Sequence, residues 1–253
     1  MLRLRRAAAP PAASSHITLT HDGETIVVAV RRTPTARRFT LRVRFAARDA
    51  VLTMPQRASM QDACDFARRN AAWIATRLNR LPETIPFAPG AIVPLRGVDH
   101  QLVHAPERRG TVWTEARKDA GAAFALCVAG QAAHMRRRVT DYLRREARRD
   151  LEAAVMRHTH ALNLAPARVS LRDPISRWGS CSATGNLNFS WRLILAPSFV
   201  LDYLAAHEVA HLVHLDHSSR FWALARRLSP DVERAEAWLV AHGAHLHKYG
   251  AGD

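Results

Sequence analysis

Lysine is nearly missing from this chain. Of its 37 basic side chains only Lys118 and Lys248 are lysines, and 22 acidic residues leave a formal net charge of +15. A charge of that size invites a polyanionic partner. Its distribution points the other way. From residue 186 to residue 217 a single arginine, Arg192, stands against Asp202, Glu208 and Asp216. An arginine excess with abundant alanine also follows from a GC-rich coding sequence. The charge therefore reads mainly as solvated surface, with weak polyanion or DNA contact as the lesser expectation.

Cysteine is scarce as well: Cys64, Cys127 and Cys181. An odd, widely spaced set without C-x-x-C argues against a disulfide framework and against a cysteine-based zinc site. It fits a reducing, cytoplasmic setting. No apolar run reaches the ~18–20 residues of a membrane span, so no membrane partner is expected. The arginine-rich, alanine- and proline-rich start has no continuous apolar segment of the kind a secretory signal needs. Residues 1–16 read as a disordered tail.

What remains is an ordinary globular composition, 48% hydrophobic over 253 residues, enough for one large core or two modest ones. Residues 17–131 read as a small β-rich domain. In "RFTLRVRF" Phe39, Leu41, Val43 and Phe45 fall on one face and arginines dominate the other, the pattern of a half-exposed strand. One helix is expected at 59–81, capped by Ser59. Beyond Gly130 the character changes. Residues 132–164 carry apolar side chains at spacings near three and four, a long helix. Strands follow at 167–173 and 186–193, then helices from about 197 to 215, from about 218, and from about 229 to Gly243. Residues 132–249 read as a second, catalytic domain, and the fold class as α+β.

The second domain holds "HEVAHLVHLDH", with four histidines and two acids between His207 and His217. His207, Glu208 and His211 form H-E-x-x-H within a helical, apolar segment. Four residues turn a helix by about 400° and advance it about 6 Å, so both imidazoles share one face and can share one metal ion. Glu208 is rotated by about 100°, beside the ion rather than bound to it. It is placed to take a proton from water activated by the metal. Burying these groups on an apolar face without a metal or partners would be costly.

A catalytic zinc needs a third protein ligand. His214 lies about 10 Å along a straight helix from His207, too far without a bend. His217 sits in "LDHSS", where a chain reversal would return it to the ion. Glu233 and Glu236, on the last helix, are distant carboxylates of the kind that can also complete such a site. Geometry ranks His217 first, then the glutamates, then His214. Cys181 reads as structural. Trp178, Trp191, Phe221 and Trp222 read as packing around the metal helix. Arg177 and Arg192 are candidates to hold substrate or neutralise an oxyanion.

The stretch 169–240 closely resembles the core of the YgjP-like zinc metallopeptidases, relatives of the SprT-like zinc proteases. The residues that carry the likeness are "RWGSCS" (177–182), "WRL" (191–193), "HEVAH" (207–211) and "HSSRFW" (217–222). Val209 stands where the family usually has leucine, and Asp216 where it has asparagine. The resemblance implies a zincin-like domain with its active helix beside a short sheet. It implies a Zn²⁺ cofactor held by His207, His211 and His217, with Glu208 as catalytic base. A peptide or protein substrate would be hydrolysed, extended along an edge strand for which 186–193 is the candidate. The rival readings are a nucleic-acid-associated protease or module and a non-proteolytic metal-binding scaffold. Retention of Glu208 weighs against the scaffold.

Overall fold

The computed structural model describes residues 15–44, 49–79, 83–117, 123–174 and 177–250. The expected tail lies outside them except for Ser15 and His16, and so does Phe45. The described residues form a mixed α+β structure with three small sheets and six α-helices. One compact unit ends at Leu81 and another begins at Pro82.

The first unit is a four-stranded sheet with two helices. Its strands are β1 (Ser15–His21), β2 (Glu24–Thr33), β3 (Thr40–Arg44) and β4 (Asp49–Pro55), in the order β1-β2-β4-β3. β1 and β2 form a hairpin, β2 runs parallel to β4, and β3 is antiparallel to β4. Helices α1 (Met60–Arg69) and α2 (Ala71–Asn79) pack their alanines and Ile74 against Val28, Leu52 and Met54. The single helix expected over 59–81 is therefore two. Asn70 separates them, its side-chain amide donating to the Phe66 carbonyl at 2.8 Å. Ser59 caps α1 as expected, accepting from the Asp62 N–H at 3.0 Å.

The second unit opens with another sheet: β5 (Ile92–Leu95), β6 (Val98–His104), β7 (Val112–Ala116) and β8 (Phe124–Val128), ordered β5-β6-β8-β7. Its buried side chains Val93, Leu95, Leu102, Leu126 and Val128 join one core with α3 (Met135–His160). The domain boundary read near residue 131 thus falls inside the second unit. Hydrophobic periodicity marks where β gives way to α, but not that this sheet and this helix cover one another.

Three further strands follow: β9 (Arg168–Arg172), β10 (Gly179–Cys181) and β11 (Asn186–Ser190). They form a sheet in the order β10-β11-β9. A 3-10 turn over Trp191–Leu195, entirely buried, leads into α4 (Ser198–Ala210). Helices α5 (Ser219–Leu228) and α6 (Val232–His242) complete the unit, with a last 3-10 turn over Gly243–Lys248. No helix among the described residues is long and apolar enough to cross a membrane.

Candidate metal centre

Helix α4 is apolar nearly all round, and most of its side chains are buried, Val200, Leu204 and Val209 among them. A helix of that kind belongs in a core. It carries His207 and Glu208 in its last turn, and His211 is its C-cap. The helix expected to run to about 215 stops here. The N–H groups of Val213 and His214 both bond the Ala210 carbonyl, tightening the end into a turn. Asp216 then accepts from the Ser218 N–H at 3.2 Å, and the Ser218 hydroxyl caps α5 by accepting from the Phe221 N–H. The reversal brings His217 back over α4.

His207, His211 and His217 each present a ring nitrogen within 4.8 Å of the others. The Nε2 atoms of His207 and His217 are 3.3 Å apart. Two nitrogens ~2.05 Å from one ion at a tetrahedral angle sit about 3.3 Å apart, so this donor set fits a zinc-sized cation. His211 donates Nδ1–H to the His214 carbonyl at 2.9 Å, which leaves Nε2 free as a ligand. Tyr203 donates its hydroxyl proton to Glu236 at 3.0 Å and lies 3.3 Å from His207 Nδ1. Its oxygen can therefore accept Nδ1–H and direct the His207 Nε2 lone pair into the cluster. Burial, then the neighbouring His211 and His217, push His207 down to about 4. Burial also lowers His211. Neutral imidazoles are the form that binds a cation.

The other candidates lie elsewhere. His214 contributes its backbone carbonyl. Glu233 is bonded to Arg226 at 2.6 Å. Glu236 stands behind His207, one hydroxyl removed. Phe221 is fully buried and stacks on His211 at 4.4 Å between centroids, with its edges to His207 and His217. Trp222 lies 5.9 Å from His207. These aromatics are packing, as read from the sequence.

Glu208 is 4% exposed, and Oε2 finds no hydrogen-bond partner among the described residues. Burial pushes its carboxyl up to about 7 against the pull of the Arg177 charge. Gly179 of β10 lies against it. A Cβ there would come within 2.8 Å of both Cδ and Cγ of Glu208. Burial first, then Glu208, push the Cys181 thiol up, away from a reactive thiolate. Arg192 is not free for substrate. Its guanidinium, almost wholly buried, donates to Asp173 at 2.7 and 3.2 Å and to the carbonyls of Leu246 and Tyr249.

The strand near 186–193 is not an edge. β11 is bonded on both sides, antiparallel to β10 and parallel to β9. The edge beside Glu208 is β10. Tyr203 and Gly179 were not read as site residues, and Glu236, read as a possible ligand, instead accepts from Tyr203. Tyr203 precedes His207 by four residues, a spacing that shares its helix face. No comparable signal in the sequence leads to Gly179 or joins Glu236 to Tyr203.

A family model described as the YgjP-like metallopeptidase domain matches residues 37–242. No curated protein and no solved structure matches the chain. The match spans most of both compact units and includes every residue of the histidine cluster, and on it the chain belongs to the YgjP-like metallopeptidase family.

Proposed function

We propose that this chain is a zinc-dependent peptidase with a zincin-like active centre, and that Glu208 is its general base. The observation that carries the reading is the convergence of His207, His211 and His217 beside a buried carboxylate whose Oε2 has no hydrogen-bond partner among the described residues. A zinc ion held by the three imidazoles would supply the Lewis acidity that makes water nucleophilic near neutral pH and polarises a carbonyl. Glu208 takes the proton of the attacking water and delivers it to the leaving amine. Tyr203 and the His214 carbonyl hold two of the imidazoles in the tautomer that offers Nε2. The outer edge of β10 offers backbone groups to an extended peptide.

The test pairs metal analysis of the purified protein with Glu208→Gln on an unfolded protein substrate. The variant is expected to keep its zinc and to lose ~10²–10⁴-fold in activity. Loss of zinc would make Glu208 a ligand, and full activity would remove the mechanism. His217→Ala is expected to strip the metal while His214→Ala retains it, because His214 acts through its backbone. If Glu236→Ala alone strips it, the carboxylate arrangement replaces the histidine one.

A further inference from the structure

At one end of the β10-β11-β9 sheet lies a cavity of about 510 Å³ whose lining includes Arg144, Arg145 and Arg148 of α3, Arg172 at the end of β9, Asp173 after it, and Trp191. Asp173, its one acid, is already held by Arg192. Arg148 pairs with Glu152 at 3.0 Å. Arg144 and Arg145 lie over the rings of Trp191 and Tyr142. Among the described residues Arg144, Arg145 and Arg172 have no carboxylate partner. Trp191 is 3% exposed, and its indole N–H has no acceptor. Guanidinium groups gathered around one space are what a carboxylate requires.

The cavity neighbours a second one that reaches the β10 edge. This second cavity, of about 320 Å³, shares Arg172 with it and is lined also by Arg177, Gly179 and Ser180. The register explains why they are neighbours. Arg172 pairs with Ser190, Gly179 pairs with Phe189, and the Ser190 N–H bonds the Trp178 carbonyl at 2.8 Å. The arginines therefore gather at the end of the sheet where β10 begins. A peptide extended along β10 past Gly179 runs toward them.

We propose that this arginine cavity is a subsite for acidic side chains of the substrate, so that the enzyme prefers peptides with Asp or Glu a few residues to one side of the cleaved bond. The proposal rests on the peptidase reading above. An acidic peptide fits better than a nucleic acid. The cavity neighbours, through Arg172, the one that reaches the strand edge beside Glu208, its volume suits one or two side chains, and its indole is buried rather than open for base stacking.

The test compares cleavage by the zinc-loaded full chain of matched peptides carrying Glu or Gln on either side of the cut. Glu on one side is expected to raise kcat/KM by roughly tenfold, several partly exposed ion pairs together, with the gain shrinking in salt. Arg144→Gln/Arg172→Gln should abolish the gain and leave the Gln peptide's rate unchanged. Arg172→Gln alone, at an exposed position, should halve it or more if the double variant folds poorly. Arg136→Gln/Arg137→Gln removes the same charge outside the cavity and should preserve it. Equal rates for the two peptides, or a preference that survives Arg144→Gln/Arg172→Gln, would overturn the subsite. Anisotropy of a labelled oligoglutamate and of a single-stranded DNA oligonucleotide of equal charge gives a readout without turnover. Tighter DNA binding that these two substitutions remove would assign the cavity to nucleic acid and overturn the proposal. If neither peptide is cleaved, the peptidase reading fails, while retention or loss of oligoglutamate binding in the double variant still decides the cavity.

Discussion

The two four-stranded sheets have the same topology. In each, a hairpin is followed by a strand parallel to its second member, and an antiparallel strand closes the far edge. Even the hairpin turns agree. Asp22-Gly23 and Arg96-Gly97 have φ of 50° and 80°, and 54° and 77°, the geometry of a tight type I′ turn. Their surroundings differ completely. The Asp22 side chain is 89% exposed, and nothing lies within 4 Å of a Cβ built on Gly23. Arg96 reaches α3, donating to Asp150 at 2.7 Å and to Glu146 at 2.8 Å. Its N–H bonds the Ile194 carbonyl, and Gly97 presses against Pro197 at the start of α4. One turn ends a hairpin, and the other fastens the helix that carries the histidines. The contrast extends to the cores. Every buried polar side chain among the described residues lies in the second unit, and the first buries only apolar ones. Local backbone chemistry is the same in both sheets; what each turn is worth depends on what covers it.

The sharpest way to break this comparison is to change the two glycines alike. Gly23→Ala meets only the left-handed backbone penalty, about 1 kcal/mol. Gly97→Ala adds a Cβ 2.9 Å from the Pro197 Cα, a backbone atom that cannot swing aside. That overpacking brings its cost to about 2–4 kcal/mol. Urea midpoints for the two variants check this, and equal costs would mean the second turn is as free as the first.

The neighbouring side chains give a smaller difference. Arg96→Ala leaves Asp150 with only its longer, 3.5 Å contact to Arg149, and Glu146 with Arg149 alone. The cost should be about 2–3 kcal/mol, below the full range for a buried pair because the Arg96 side chain is 29% exposed. Asp22→Ala should stay within about 0.5 kcal/mol. The same midpoints measure both. A cost for Asp22→Ala as large as for Arg96→Ala would erase the distinction.

Alternation and period made parts of this molecule readable before any coordinates. Leu41 and Val43 are half-buried while Thr40, Arg42 and Arg44 are exposed, as their spacing requires. The helix carrying His207 and Glu208 and the reversal that returns His217 follow from rotation per residue and from the caps at Asp216 and Ser218. Periodicity tells which face of an element is apolar, not which element will cover it. That is why the β5–β8 sheet was read apart from the helix that shares its core, and why β11 was taken for an edge. For the same reason nothing in the sequence joins Glu236 to Tyr203, 33 residues away. Arg192 was read as a substrate group because its type suggests one, whereas its partners, Asp173 and two distant carbonyls, belong to tertiary structure.

The slightest of the expected differences is in acid. His247 is buried against Trp178, and burial holds it down at about 4 from an ordinary 6.5. On acidification the unfolded chain takes up this proton first. Stability from the neutral ring is complete above pH 6.5 and declines as the pH falls toward 4. The second unit should therefore lose stability across that window, and His247→Gln should flatten the slope. The first unit, with no titratable side chain buried among its described residues, contributes no matching slope. Thermal melts of native and variant protein at pH 7 and pH 5 measure it, and parallel losses would remove His247 as the cause.

Gly179 donates nothing to a metal and has no side chain to lend to chemistry. Yet the Glu208 carboxyl occupies the space its Cβ would need. Any larger residue must displace the group proposed to move the proton. In a saturation library selected for turnover, position 179 should come back as invariant as the histidines, while a library selected only for folded protein should accept alanine there. A residue can thus be indispensable by what it omits, and tolerance profiles that reward contacts alone would pass over it.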